Sequence, residues 1–150
     1  MYDKERISII IEDIKKYFQK LKERNIKKLS DLDDVNYYAC SMIIFSILNR
    51  AIDLGDEIIN SKKLGFPSET KDIFKLLGEN KIISKKTEEK MKDLIRLRNK
   101  IAHRYGSISK EDIFNSIENI KNAEEFVKEI TEFLKKEMET KENKIKWGGK

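Results

Sequence analysis

Met91-Lys92-Asp93-Leu94-Ile95-Arg96-Leu97-Arg98-Asn99-Lys100-Ile101-Ala102-His103-Arg104-Tyr105 is the stretch on which the reading of this chain turns. At roughly 100° per residue, Met91, Leu94, Ile95, Leu97, Ile101 and Ala102 fall on one apolar arc of a helix. Arg98 lies near the middle of that arc, and Tyr105 is on the same side. A charge centred on an apolar stripe is costly unless it is paired or placed at an interface. Breaks of a local rule of this kind tend to mark function. The stretch also holds the chain's one histidine, His103. Arginine, histidine and tyrosine together can cut or carry a phosphodiester without a metal ion.

Outward from that stretch the helical period continues. A first helix is predicted from about Asp3 to Arg24, with Ile7, Ile10, Ile11, Ile14, Phe18 and Leu21 as its stripe. Ser30, Asp31 and Asp33 read as the start of a second helix that reaches about Asn60. The first half of that helix is apolar around most of its circumference, so it is either central or faces both a core and a partner. Its polar residues Asn49, Asp53, Asp56 or Glu57, and Asn60 form a strip that faces solvent or lines a cleft. Ser68 marks a short third helix ending at Gly78, and Thr87 opens the fourth, which stops near Tyr105-Gly106. Ser109 starts a single fifth helix with the stripe Ile113, Ile117, Ile120, Val127, Ile130 and Leu134. The expected fold is all-α: an up-and-down four-helix bundle with an additional short helix. One domain spans 1–139, and 140–150 reads as a polar, disordered tail whose Trp147 could stack on a base.

Composition sets outer bounds. At 150 residues one domain suffices, and a chain of this length buries a core without staples. Charged and hydrophobic residues each make up 39%, a globular balance. A net charge of +5 permits a polyanionic partner, though a solvated lysine face is the more common explanation. A single cysteine, Cys40, excludes an internal disulfide and a thiolate metal cage; it reads as a buried, inert thiol. No signal peptide and no run of 18 apolar residues is visible, so the chain reads as cytosolic, with no membrane span.

The chemistry narrows further. RNA cleavage without metal needs a base for the 2′-hydroxyl, an acid for the departing 5′-oxygen, and positive charge on the phosphorane. His103 suits either of the first two roles. Arg98 suits the third, because its fork matches phosphate geometry. On a straight helix the two lie about 140° apart, so either the helix distorts or a second chain completes the site. Asn99 is four residues from His103 and shares its face. One chain supplies one histidine, whereas a two-fold dimer would supply two. Each residue also has a plainer reading: a capping histidine, a snorkelling arginine, a core tyrosine.

The Arg98–Tyr105 stretch, with Met91–Leu97 before it, resembles the HepT-like proteins of the HEPN superfamily. Ala51-Ile52-Asp53-Leu54-Gly55-Asp56-Glu57-Ile58-Ile59, Gly65-Phe66-Pro67 and Ile73-Phe74-Lys75-Leu76-Leu77 resemble further segments of that family, so the likeness covers most of residues 5 to 135. The resemblance implies a HEPN-like helical bundle that dimerises and brings two motifs into one cleft. It implies a metal-independent endoribonuclease, with no cofactor, that is the toxin of a toxin–antitoxin pair and acts on RNA such as tRNA. Arg98 and His103 would be catalytic, with Asn99 supporting. The partner would be an MntA-like minimal nucleotidyltransferase that silences the toxin by transferring AMP to Tyr105. The family pattern often places an arginine near Met42 and an acid near Asn49; this chain has neither, which leaves Asp53 as the candidate accessory acid. Two rivals follow from the same residues. One is a non-catalytic helical subunit that presents substrate to a nucleotidyltransferase. The other is a purely structural helical dimer with Arg98 in a buried ion pair.

Overall fold

The structure is a computed structural model that describes residues 2–103 and 108–148, with side chains described to residue 140. All its regular elements are helical: α1 (Lys4–Glu23), one 3-10 turn (Leu29–Asp31), α2 (Asp34–Lys62), α3 (Thr70–Glu79), α4 (Lys85–His103), α5 (Lys110–Asn119) and α6 (Lys121–Gly148). Four long helices, α1, α2, α4 and α6, carry the bundle, and no strand occurs among the described residues.

The helix starts follow local chemistry. Asp3 caps α1 by accepting from the Arg6 N–H, and Asp33 caps α2 by accepting from the Asn36 N–H at 2.8 Å. α4 opens two residues earlier than Thr87 predicts. Ser84 accepts from the Thr87 N–H at 3.1 Å, leaving Thr87 and Glu88 buried in the first turns. Ser68 also sits one step outside its expected place: Glu69 is the residue before α3, and the Ser68 hydroxyl donates to Asp72.

The predicted single fifth helix is two. The chain tightens at Ile120, whose N–H donates to the Ser116 carbonyl and whose own carbonyl accepts from the Ala123 N–H. This places Ile113, Ile120, Ala123, Phe126 and Ile130 in one core although a straight helix would turn some of them outward. α6 continues through Gly148, so residues 141–148 of the expected disordered tail are helical.

α2 is the axis of the molecule, packed against α1, α3, α4, α5 and α6. By length and composition it could cross a membrane, but Cys40, Ile44, Ile47, Leu48, Ala51, Leu54, Ile58 and Ile59 are all buried within the bundle. Gly55 is required there: a Cβ would lie 2.7 Å from Ile73 Cγ2, so α3 could not approach α2 as it does. The first half of α2 also keeps an outward apolar face. Val35 is 70% exposed, Tyr38 55% and Met42 45%, at spacings of three and four residues.

Two polar clusters on α6 tie the helices together. Glu137 of α6 receives the Tyr2 hydroxyl and the Lys62 ammonium, tying α6 to the start of α1 and the end of α2. Glu129 of α6 accepts from the Ser84 N–H and the Thr87 hydroxyl, anchoring the beginning of α4. Next to it Glu88, 2% exposed, sits between Lys92 at 2.7 Å and Lys85 at 3.1 Å. Burial pushes the Glu88 carboxyl up, and the two ammonium groups more than offset it, leaving it below its usual value. α4 is thereby fixed at one end by carboxylates, and its other end carries the motif.

Candidate active site at the end of helix α4

Arg98 leaves α4 toward α2. Its Nε–H donates to Asn49 Oδ1 at 2.9 Å, and its guanidinium lies over the Phe45 ring, 5.5 Å from the centroid. The apolar arc of α4 therefore contains an arginine because α2 offers it an aromatic face and an amide oxygen there. Such a cation–π contact contributes about 0.5–2 kcal/mol, and it fixes the plane of the fork. A second donor, on NH1, reaches Asn99 Oδ1 at 3.1 Å. Among the described residues both partners are neutral amides, so the arginine is oriented without being neutralised. A guanidinium has five N–H donors, and those left over are available to an anion.

Asn49 is a site residue that sequence reasoning passed over. Its strip on α2 could face solvent or line a cleft; the structure half-buries Asn49 and spends its side chain on Arg98. The signal was present, because an amide at helical spacing on the most apolar helix has a cost that a partner must offset. The rest of the strip has other duties. Asp53 is bound by Arg50 at 3.1 Å, and Arg50 also holds Asp13 of α1 at 2.6 Å. Glu57 pairs with Arg6. Asp53 is thus engaged in an α1–α2 charge cluster and not hydrogen-bonded to Arg98 or His103.

Arg98, Asn99 and His103 line one cleft of about 450 Å³ between α4 and the beginning of α3. Lys92, Ile95 and Arg96 continue its α4 wall, and Glu69, Thr70 and Lys71 form the other side. Arg98 and His103 both line this cleft although a helical wheel sets them about 140° apart. His103 is exposed at the last turn of α4. Asn99, expected to support the imidazole, gives its oxygen to Arg98 instead. The cleft is cationic: Lys71, Lys92, Arg96 and Arg98 face one acid, Glu69. Lys92 is held by the buried Glu88 at 2.7 Å, whereas Lys71 with Glu69 and Arg96 with Asp93 form exposed pairs that contribute little, so Arg98 is the cleft cation bound only to neutral amides among the described residues. Arg104 and Tyr105 lie outside the described residues. Tyr37 of α2 donates its hydroxyl to the Ile108 carbonyl, tethering the chain just beyond them.

The family model for ribonuclease HepT-like proteins matches residues 7–130. The chain belongs to the HepT-like family. A curated relative, the mRNA nuclease HepT of Shewanella oneidensis, is 26% identical over 68 residues, 45% of this chain. This chain spans about half the length of that relative, 51%. Among solved structures, YutE from Bacillus subtilis, a cytosolic protein of unknown function, superposes with a TM-score of 0.80 at 18% identity, covering 91% of this chain and 95% of that one. The tri-AMPylated HEPN toxin of Shewanella oneidensis in complex with an MNT antitoxin gives a TM-score of 0.78 at 21% identity, over 87% and 98% of the two chains. At these identities the superpositions establish a shared helical fold.

Proposed function

We propose that this HepT-like chain is a metal-independent endoribonuclease, the toxin of a HepT/MntA-type toxin–antitoxin pair. The observation that carries the reading is the shared cleft: an oriented, un-neutralised Arg98 and an exposed His103 open onto one cationic groove. Arg98 neutralises the phosphate and stabilises the phosphorane as charge builds on it. One imidazole takes the proton from the 2′-hydroxyl, whose oxygen attacks phosphorus. A second imidazole gives a proton to the departing 5′-oxygen. The products are a 2′,3′-cyclic phosphate and a free 5′-hydroxyl.

The second imidazole comes from a second copy of the chain. The outward apolar face of α2, Val35, Tyr38 and Met42, runs toward Phe45 and Asn49, which hold Arg98. Two copies meeting on that face bring two Arg98–Asn49 pairs together. Inhibition follows from the family resemblance: an MntA-like nucleotidyltransferase transfers AMP from ATP to Tyr105, two residues beyond His103. The added negative charge, carried so close to His103 in the chain, repels RNA.

The test is cleavage of tRNA and mRNA in EDTA by the wild-type chain, Arg98→Ala and His103→Ala. Wild type is expected to cut, leaving 2′,3′-cyclic phosphate ends, and both variants to be inactive yet folded. A requirement for divalent metal overturns the chemistry. No cleavage, together with tight binding to a nucleotidyltransferase and AMP transfer, would instead make the chain a non-catalytic subunit of that enzyme.

A further inference from the structure

Phe66 is the most exposed large apolar residue of the described chain, with its side chain 100% in solvent. An aromatic ring carries a large apolar area that folding usually hides. Here the connection that bears it is pinned on both sides. After α2, Lys63 adopts φ +54°, and the Leu64 N–H donates to the Ile59 carbonyl at 3.0 Å, closing the helix end. Before α3, the Ser68 hydroxyl and the Glu69 N–H both donate to the Asp72 carboxylate, at 3.0 and 3.1 Å. Between the two closures stand Gly65 and Pro67. Gly65 has φ +131°, a conformation L side chains rarely adopt, with nothing within 4 Å of a would-be Cβ. Its glycine is therefore needed for chain direction and not for space. Proline at 67 restricts the backbone of Phe66 to extended conformations.

The place where this ring is presented matters. Glu69, Thr70 and Lys71 form one wall of the Arg98–His103 cleft. Glu69 lies three positions after Phe66, a backbone reach of at most about 11 Å. Stacked nucleotides advance about 3.4 Å each, so the ring lies within a few nucleotides of a phosphate held in the cleft. A cationic groove flanked by an exposed aromatic is the pattern by which proteins hold single-stranded nucleic acid: the cations follow the backbone and the ring takes a base.

We propose that Phe66 is a stacking platform for an unpaired base of the RNA held at Arg98 and His103. This rests on the ribonuclease reading above and adds to it a preference for single-stranded or looped RNA, because the bases of a duplex are already stacked on one another. Phe66 is a binding residue and takes no part in bond cleavage.

The experiment uses full-length chain in the His103→Ala background, so that bound RNA is not cut. Affinity is measured by fluorescence anisotropy for a fluorescein-labelled single-stranded RNA and for the same strand annealed to its complement. The parent is expected to prefer the single strand. Phe66→Ala and Phe66→Leu are expected to weaken single-strand binding roughly 5- to 150-fold, the range for loss of one base–aromatic stack, and to leave duplex binding and thermal melting unchanged. Phe66→Trp, with Trp147→Phe removing the other indole, should retain affinity and show fluorescence quenching by the single strand. Unchanged affinity in Phe66→Ala, or full retention in Phe66→Leu, overturns the stacking role while RNA binding by the parent keeps the ribonuclease reading intact. Absence of RNA binding by the parent defeats both.

Discussion

The Nε–H of Arg98 on α4 is held 2.9 Å from Oδ1 of Asn49 on α2. This bond links the motif helix to the central helix and aims the guanidinium without cancelling its charge. Hydrogen bonds to charged groups contribute about 1.5–3 kcal/mol. If that orientation is used in the transition state, Asn49→Ala lowers the RNA cleavage rate roughly 10- to 100-fold, with less effect on RNA affinity. Asn49→Gln, which keeps an amide but displaces its oxygen from the fork, is expected to fall between Asn49→Ala and wild type. Single-turnover rates beside binding constants separate the two effects, and full activity in both variants would show that the contact is structural alone.

The outward face of α2 makes a second prediction. Tyr38→Glu puts a charge on a residue 55% exposed in the single chain, so folding of the chain should be unaffected. If the face joins two copies, sedimentation should shift from dimer to monomer, and cleavage should be lost because each site lacks its second imidazole. A dimer that survives both Val35→Glu and Tyr38→Glu would place the interface elsewhere.

Gly78 offers a purely structural test. A Cβ there would sit 2.0 Å from Glu88 Oε1 and 2.8 Å from its Cδ. The Glu88 carboxylate is not free to swing away, because Lys85 and Lys92 hold it. Gly78→Ala should therefore cost about 1–3 kcal/mol, lowering the melting temperature by roughly 2–12 °C for a chain of this size. The double variant Gly78→Ala/Glu88→Ala should lose less than the sum of the single variants. Strict additivity would show that the clash is relieved some other way.

Glu88 also predicts a pH dependence. Its carboxyl lies below the ordinary value of 4.5 in the folded chain, with burial opposing and the Lys92 and Lys85 ammonium groups prevailing. The stabilisation is fully present above about pH 4.5, the unfolded value, and is lost as pH falls through the lower folded value. Glu88→Gln should be less stable than wild type at neutral pH, and the gap should narrow as the solution is acidified below that value. Melting curves across an acid series check this; a gap that is constant with pH would show that the carboxylate charge is not what matters.

AMP transfer supplies the last prediction. Co-expressed with an MntA-like nucleotidyltransferase, the wild-type chain should gain adenylyl mass and lose RNase activity, whereas Tyr105→Phe should gain none there and remain toxic. Intact-protein mass spectrometry reads the first result and growth on induction the second. Modification at a different tyrosine would relocate the switch.

Much of this molecule is local, and local features are legible in one dimension. The stripes of α1 and α4 recur at the helical period, Asp3 and Asp33 cap helices from their own side chains, and the Arg98–His103 stretch carries the family resemblance in its residue types. None of these needs a distant partner to be recognised. The remainder depends on approach between elements. The break at Ile120 separates α5 from α6 and lets Ile113 and Phe126, which a straight helix would set on different faces, share one core. The early start of α4 reflects Glu129, which reaches Ser84 and Thr87 from α6. Asp53 is committed to Arg50, and Asn49 to Arg98, by side-chain geometry that sequence spacing does not encode. That His103 and Arg98 line one cleft follows from α3 packing against α4, while Gly55 lets the same α3 approach α2. Helix identity is a short-range property of the backbone and its nearest side chains, whereas a site is made where helices distant in the chain pack together.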